Sequence, residues 1–260
     1  MTALVRPGTV IDNTADPRWV PVRVEARFVQ PIVGLPKDPM HLDGPLSWAA
    51  YLDAVDNADR ETLRLPPMRE WAHDFRLPLA TWTAPCTRDD PDPRLLTAGG
   101  TVWGWACSSA TYQIMRHDVA HVRRRPAVDQ MARWTASDKY HPALGPRRAA
   151  NMQHQAVWVD AVSWWALAEP ARLAALLARL TNVGRLARHG WGRILDITVT
   201  TDDTAVVQWR RRNFPQAGGA PATVRAPYHH DSRRMPCTSL PPADDAFEPN
   251  RYVDLSGTTR

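Results

Sequence analysis

The sequence predicts an α+β fold organised around an antiparallel sheet, and three observations lead to it. Residues 19–28 alternate strictly, with Val20, Val22, Val24, Ala26 and Phe28 on one face and Pro21, Arg23, Glu25 and Arg27 on the other. That period marks a strand with one buried face. A helical stripe follows it, and the succession of strand and helix returns in the second half of the chain. Between the second helix and its strand, residues 181–200 read TNVGRLARHGWGRILDITVT, three glycines interleaved with three arginines.

Residues 1–17 form an irregular leader. HLDGPLSWAAYLDAVD then offers Asp43 or Gly44 as a helix cap, Pro45 in the first turn, and a stripe of Trp48, Tyr51, Leu52 and Val55, the spacing of an amphipathic helix. Residues 60–100 are broken by prolines, with a strand expected at 77–83 and another at 101–108. The segment 116–148 is expected to hold a short helix, a break at Pro126 and the loop SDKYHPALGPRR. AVWVDAVSWWAL, residues 156–167, reads as a buried strand. Pro170 opens a helix striped by Leu173, Leu176, Leu177 and Leu180 and ending near Gly184. Strands follow at 194–200 and, past a turn at Asp202 and Asp203, at 205–210. Residues 213–260 are proline-rich without periodicity and should pack on the body as a tail. The first half of this order is β-α-β-β, and the second can complete a ferredoxin-like or RNA-recognition-type sheet over residues 18–212, with an insertion at about 110–150. Such a sheet leaves one face free, which nucleic-acid binders commonly use.

A chain of 260 residues fits one large domain or two small ones, and 44% hydrophobic content allows a real core. Cys86, Cys107 and Cys237 lie far apart with no C-x-x-C pair, which signals neither a disulfide framework nor a cysteine zinc site. Free thiols suit a reducing cytosol. No run of 18 apolar residues occurs, and the N-terminus lacks an apolar signal region. A cytoplasmic protein with no membrane partner is expected.

The placement of charge is more informative than its amount. Between Arg116 and Arg148 stand eight Arg or Lys against three Asp, an excess equal to the whole net charge of +5. A localised basic segment is what polyanion binding requires. The glycine–arginine turn has matching chemistry, because glycine lets a backbone approach closely and arginine recognises phosphate bidentately. It lacks the G-K-[ST] ending of a Walker loop, and it follows a helix where a dinucleotide fingerprint follows a strand. Candidate RNA contacts are therefore Gly184, Arg185, Arg188, Gly190, Trp191, Gly192 and Arg193 in the turn. The basic segment adds Arg123, Arg124, Arg125, Arg133, Trp134, Lys139, Arg147 and Arg148. Trp134 and Trp191, each beside a cation, offer base stacking together with phosphate neutralisation.

Plainer readings stand beside these. The glycines serve equally as a helix cap and a turn, and the basic segment as a solvated face. His117 and His121 have the i, i+4 spacing of a helical zinc pair with Asp118 between them, but no third ligand is indicated. Lys139, Tyr140 and His141 could act as acid and base on RNA, although contact without chemistry suits so weak a cluster better. Trp48, Trp158, Trp164 and Trp165 read as core.

HLDGPLSWAA, the G-x5-G-x-G turn and the strand after it together resemble the RAMP superfamily of CRISPR proteins. Within it, WWALAEPARLAALLARLTNVGRLARHGWGRI is similar to the Cas-five-type subunit of type IV effector complexes, the third Csf protein, and APYHH to that family's tail. The likeness covers about residues 18–240. It implies a non-catalytic subunit, without cofactor or metal, that grips the 5′ handle of a guide RNA and caps a backbone of Cas-seven-like subunits. The insertion would be the family's thumb, touching RNA and the neighbouring backbone subunit. A large Csf subunit is a further implied partner, and target nucleic acid is reached through the assembled complex. Some Cas-five relatives cleave precursor RNA, and the Cas-six nucleases share the glycine turn. A metal-independent endoribonuclease using His141, Tyr140 or His117 is thus the alternative. One ferredoxin-like unit with a large insertion favours the Cas-five plan.

Overall fold

The computed structural model describes residues 4–35, 39–57, 75–124, 150–228 and 231–238. β1 (Val20–Phe28) forms where small and β-branched residues alternate with charged ones, so that Val22, Val24 and Ala26 are fully buried on one face. It pairs antiparallel with β6 (Ala150–Ala168) on one side and β7 (Ile194–Thr201) on the other. β5 (Thr111–Arg124) runs along the far edge of β6. β2 (Ile32–Val33) prolongs the line of β1 against Val157 and Ala156. Across the sheet the order is β5-β6-β1-β7.

Two helices cover one face. α1 (Asp43–Asp56) delivers Leu46, Ala49 and Ala50, and α2 (Pro170–Leu177) delivers Leu173 and Leu177, to a core shared with Val22, Val24, Val157 and Trp164. Each such large side chain contributes roughly 1.5–3 kcal/mol when fully buried. The opposite face of β1 and β7 is open, but its cations are matched. Arg23 meets Glu25 at 2.5 Å, Arg27 donates through Nε to Asp196 at 2.9 Å, and the Trp165 indole donates to Asp202 at 3.1 Å.

A second core lies past the end of β6. β3 (Thr81–Ala84) and β4 (Val102–Trp105) form a ribbon anchored by Ala80 N–H to Leu167 O at 2.8 Å and Leu167 N–H to Ala106 O at 3.0 Å. Trp82, Leu95 and Val102 from this region pack with Trp209, Val224, Met235 and Cys237. The last three come from the part of the chain expected to pack on the body as a proline-rich tail. There β8 (Pro215–Thr223) and β9 (Arg234–Cys237) pair as a hairpin. Residues 239–260 lie outside the described residues.

Other expectations are corrected too. The described part of the basic segment is strand, with no helix among its described residues, because Thr111–Arg124 finds a partner in β6 along its length. β6 itself begins six residues before the expected strand. Residues 205–208 form one helical turn, α3 (Ala205–Gln208), since Asp202 accepts from Thr204 N–H at 2.9 Å and buried Ala205 and Trp209 stand four apart, a helical period. α2 stops at Leu177, yet Leu180 and Val183 still reach the main core from the turn that follows. Of the four tryptophans assigned to the core only Trp164 is buried; Trp48 is 45% exposed, and Trp158 and Trp165 are half-buried.

The two cores meet at a buried cation. Arg212, without solvent contact, donates to the carbonyls of Trp105 and, at 2.8 Å, Cys107, reaches Val224 O, and faces the Asp43 carboxylate at 3.9 Å. Tyr228 donates to the other oxygen of Asp43 at 2.6 Å. Removing one member of a buried pair strands the rest, at a cost of about 3–5 kcal/mol. Arg212→Met should therefore lower the unfolding free energy by that amount in urea titration. A loss under about 1 kcal/mol, typical of exposed pairs, would show that the network is dispensable.

Candidate nucleic-acid interface

β5 and β6 extend past β1 as a two-stranded arm, in which Val119 pairs with Gln155 and Arg124 with Ala150. Strand alternation gives the arm two chemically different faces. Ala120 and Val122 turn inward to pack with Ala156, Val33, Leu186 and Trp191. His117, Val119, His121 and Arg123, with Asn151, Gln153 and Gln155 from β6, form an exposed face. Asp118 lies in the other set, held below the usual carboxylate range by the Trp158 indole N–H and the Val119 N–H. Arg116 stacks over Trp158 at 5.1 Å.

His117 and His121, read as two surface histidines on a basic helix, stand instead on a strand, where their i, i+4 spacing no longer brings them together. Four residues along a strand span about 13 Å, too far for one ion. Among the described residues no group of three or more His, Cys, Asp or Glu could hold a metal. Arg125, Arg133, Trp134, Lys139, Arg147 and Arg148, and the acid–base candidates Tyr140 and His141, lie outside the described residues. Arg124 pairs with Ala150 at the end of the described arm.

The glycine–arginine turn is fastened to the root of this arm. Arg185 N–H donates to Val33 O, Gly192 N–H to Pro31 O and Val183 N–H to Gly192 O, each at 3.0 Å. Asn182 closes the turn by donating to Gly190 O at 3.0 Å and Trp191 O at 3.1 Å. The glycines expected to admit RNA have another reason to be there. Gly192, at φ 64°, would place a Cβ 2.0 Å from Val183 O, and Gly184, at φ 95°, a Cβ 2.9 Å from Val33 O. Both are demanded by the protein's own backbone. Gly190, at φ 90°, faces open space, with no described atom within 4 Å of such a Cβ.

The turn's cations diverge. Arg185, Arg188 and Arg193 are exposed, but Arg193 borders a groove against α2 and β7, whereas Arg185 and Arg188 border a cleft beside the start of α1. Trp191 is half-buried and packs against the arm root, so its ring supports the arm. The cleft has a volume of about 680 Å³ and is lined by Met40, His41, Trp48 and Tyr228 as well as the two arginines.

No sequence signal singled out His41. It precedes α1, is 1% exposed, and stacks on Tyr228 with ring centroids 4.5 Å apart and planes inclined 16°. Neither ring nitrogen has a hydrogen-bond partner among the described residues. Burial, with the Arg212 charge nearby, pushes its pKa well below the ordinary histidine value, so the imidazole is neutral.

A family model described as CRISPR type IV associated protein Csf3 matches residues 103–239, more than half of the chain. The match takes in the arm, the glycine–arginine turn and the β8–β9 hairpin, and leaves β1 and α1 outside it. No curated protein matches the chain.

The backbone requirements of the turn predict a ranking. Gly192→Ala, which drives a methyl into a carbonyl, should unfold the protein or lower its melting temperature by several degrees more than Gly190→Ala. The latter meets only the left-handed penalty of roughly 1–2 kcal/mol. Equal losses in a thermal melt would contradict the assignment of Gly192 to the scaffold.

Proposed function

The chain belongs to the Csf3 family, the Cas-five-like subunit of type IV CRISPR systems, and on that premise we propose that it grips the 5′ handle of a guide RNA and caps one end of a backbone of Cas-seven-like subunits. The observation that carries this reading is the junction of arm and turn. A small apolar cluster of Val33, Ala120, Ala156 and Leu186 fixes the inward face of the arm to the turn that displays Arg185 and Arg188, while Arg123 stands on the arm's opposite, exposed face. Cations displayed on backbone held in this way suit an RNA backbone, since phosphates attract the charges. The open sheet face suits it less, because Arg23 and Arg27 already face carboxylates.

The order β1-α1-β5-β6-α2-β7 and the sheet order β7-β1-β6-β5 support a ferredoxin-like RAMP unit. The arm supports the part of the thumb, reaching toward RNA and a backbone neighbour. A large Csf subunit would complete the complex, which would meet target nucleic acid as an assembly. The role is binding without cleavage. In support, His117 and His121 stand too far apart on β5 to act as an acid–base pair on one phosphodiester.

Two measurements test this reading. The triple variant Arg123→Ala, Arg124→Ala, Arg188→Ala should bind repeat RNA more weakly, with a salt slope smaller by up to about 2, at about 0.7 per lost phosphate contact on a single strand. An unchanged slope would reduce these arginines to solvated surface. Separately, repeat RNA incubated with the purified protein in EDTA should stay intact. Cleavage that disappears in His141→Ala or Tyr140→Phe would replace the binding role with the endonuclease one.

A further inference from the structure

We propose that β7 is an acceptor edge, to which a protein partner adds an extended segment in antiparallel register. That segment carries apolar side chains at every second position and a carboxylate near its C-terminal end for Arg193. The inference stands apart from the RNA-gripping reading and concerns the other groove. β7 is the last strand of its sheet and pairs with β1 alone among the described residues. A strand in that place presents a row of unpaired N–H and C=O groups, which another extended chain matches in full.

The composition of the strand supports this role. Natural sheets blunt their edges with lysines, prolines and other charges. β5, the outer strand on the other side, carries Arg116, Asp118 and Arg123. β7 reads ILDITVTT, eight residues without Lys or Pro, and its one charge, Asp196, is taken by Arg27. Leu195 is 60% exposed on it. An unguarded apolar edge of this length is the kind that a partner strand covers.

The groove of about 690 Å³ alongside β7 fits the same guest. Its lining includes Ala174 and Leu177 of α2 and Ile197 and Val199 of β7, and no residue of β1. Ile197 and Val199 pair with Ala26 and Val24, which belong to the helix-covered core, so the groove lies on that face at the outer side of β7. Alternate side chains of an added strand point to one face of the sheet, and apolar ones suit this lining. Charge sets the direction. Of the two charged residues in the lining, Asp196 is paired, and the Arg193 guanidinium has no ion-pair partner among the described residues. Arg193 directly precedes β7, and every described pairing in this sheet is antiparallel. A guest that continues the pattern ends beside Arg193, where a carboxylate completes the charge pair.

The test uses the full chain and fluorescein-labelled peptides of the same length as β7, read by anisotropy. One peptide alternates threonine and valine and ends in two glutamates. A second ends in two lysines, and a third is the first with its two central residues replaced by proline. The wild-type protein should bind the glutamate peptide about three-fold more tightly than the lysine peptide, the size of an exposed ion pair. It should not bind the proline peptide, which cannot donate to the ladder. Arg193→Glu, at an exposed position, should reverse the order of the first two with an unchanged melting temperature. The glutamate peptide should also slow hydrogen exchange of the β7 amides in the wild-type protein. No binding of the glutamate peptide, equal binding of the proline peptide, an order unchanged in Arg193→Glu, or protection confined to other strands would each overturn the proposal. Displacement of the peptide by repeat RNA would give the groove to nucleic acid, and a dimer that the peptide dissociates would give the edge to a second copy of the chain. Either result overturns it as well.

Discussion

The Arg212 guanidinium is the contact on which the rest of the arrangement depends. A cation removed from water is tolerable only where its N–H groups are matched, and here three segments supply the matches. The carbonyls of Trp105 and Cys107 come from the passage between β4 and β5, the Val224 carbonyl from the end of β8, and the carboxylate from Asp43 in the first turn of α1. Burial opposes the charge, but the facing Tyr228, Asp43 and Cys107 more than offset it, so the arginine stays protonated. Burial pushes the Cys107 thiol and the Tyr228 phenol up, leaving both neutral beside one cation and one anion. The network thus sets the helix-covered core and the tryptophan-rich second core in one relation. It also holds α1 and Tyr228 together, and Tyr228 is the surface on which His41 stacks.

Elements with a single buried face were legible in the sequence. β1 announces itself because Val22, Val24 and Ala26 repeat at the period of their backbone; α1 was placed by the stripe of Trp48, Tyr51, Leu52 and Val55, of which Tyr51 alone is buried, while Leu46, Ala49 and Ala50 carry the core face. The outer half of β6 does not, since Asn151, Met152 and Gln153 stay exposed and the strand is sustained by pairing with β5. The β8–β9 hairpin is equally silent: PQAGGAPAT has no alternation, and its position comes from Val224, Met235 and Cys237 reaching the second core. Trp158 and Trp165 misled for a definite reason. An indole has a polar edge, and at the sheet surface Asp118 and Asp202 satisfy it while the ring stays half-exposed.

The chemistry of the candidate interface was readable, and its geometry was not. Composition located the cations, but only the fold shows that Arg185 and Arg188 share one concavity while Arg193 borders another. Glycine content suggested close approach by a ligand, whereas Gly184 and Gly192 are required by the carbonyls of Val33 and Val183. His41 was beyond sequence reasoning, because its burial depends on Tyr228, 187 residues away in the chain, stacking on it.

The distribution of charge also separates the grip from the sheet face. On the sheet face each arginine meets a carboxylate, so a phosphate arriving there would compete with a counter-charge already in place. On the arm and turn the cations stand forward on backbone that is itself held by hydrogen bonds and the Val33–Leu186 cluster, so little ordering remains to be done on binding. Phosphate contacts of this kind set affinity and register without reading sequence. In this chain the arm and turn fall within the residues matched to the Csf3 family, and His41 and Trp48 fall outside them.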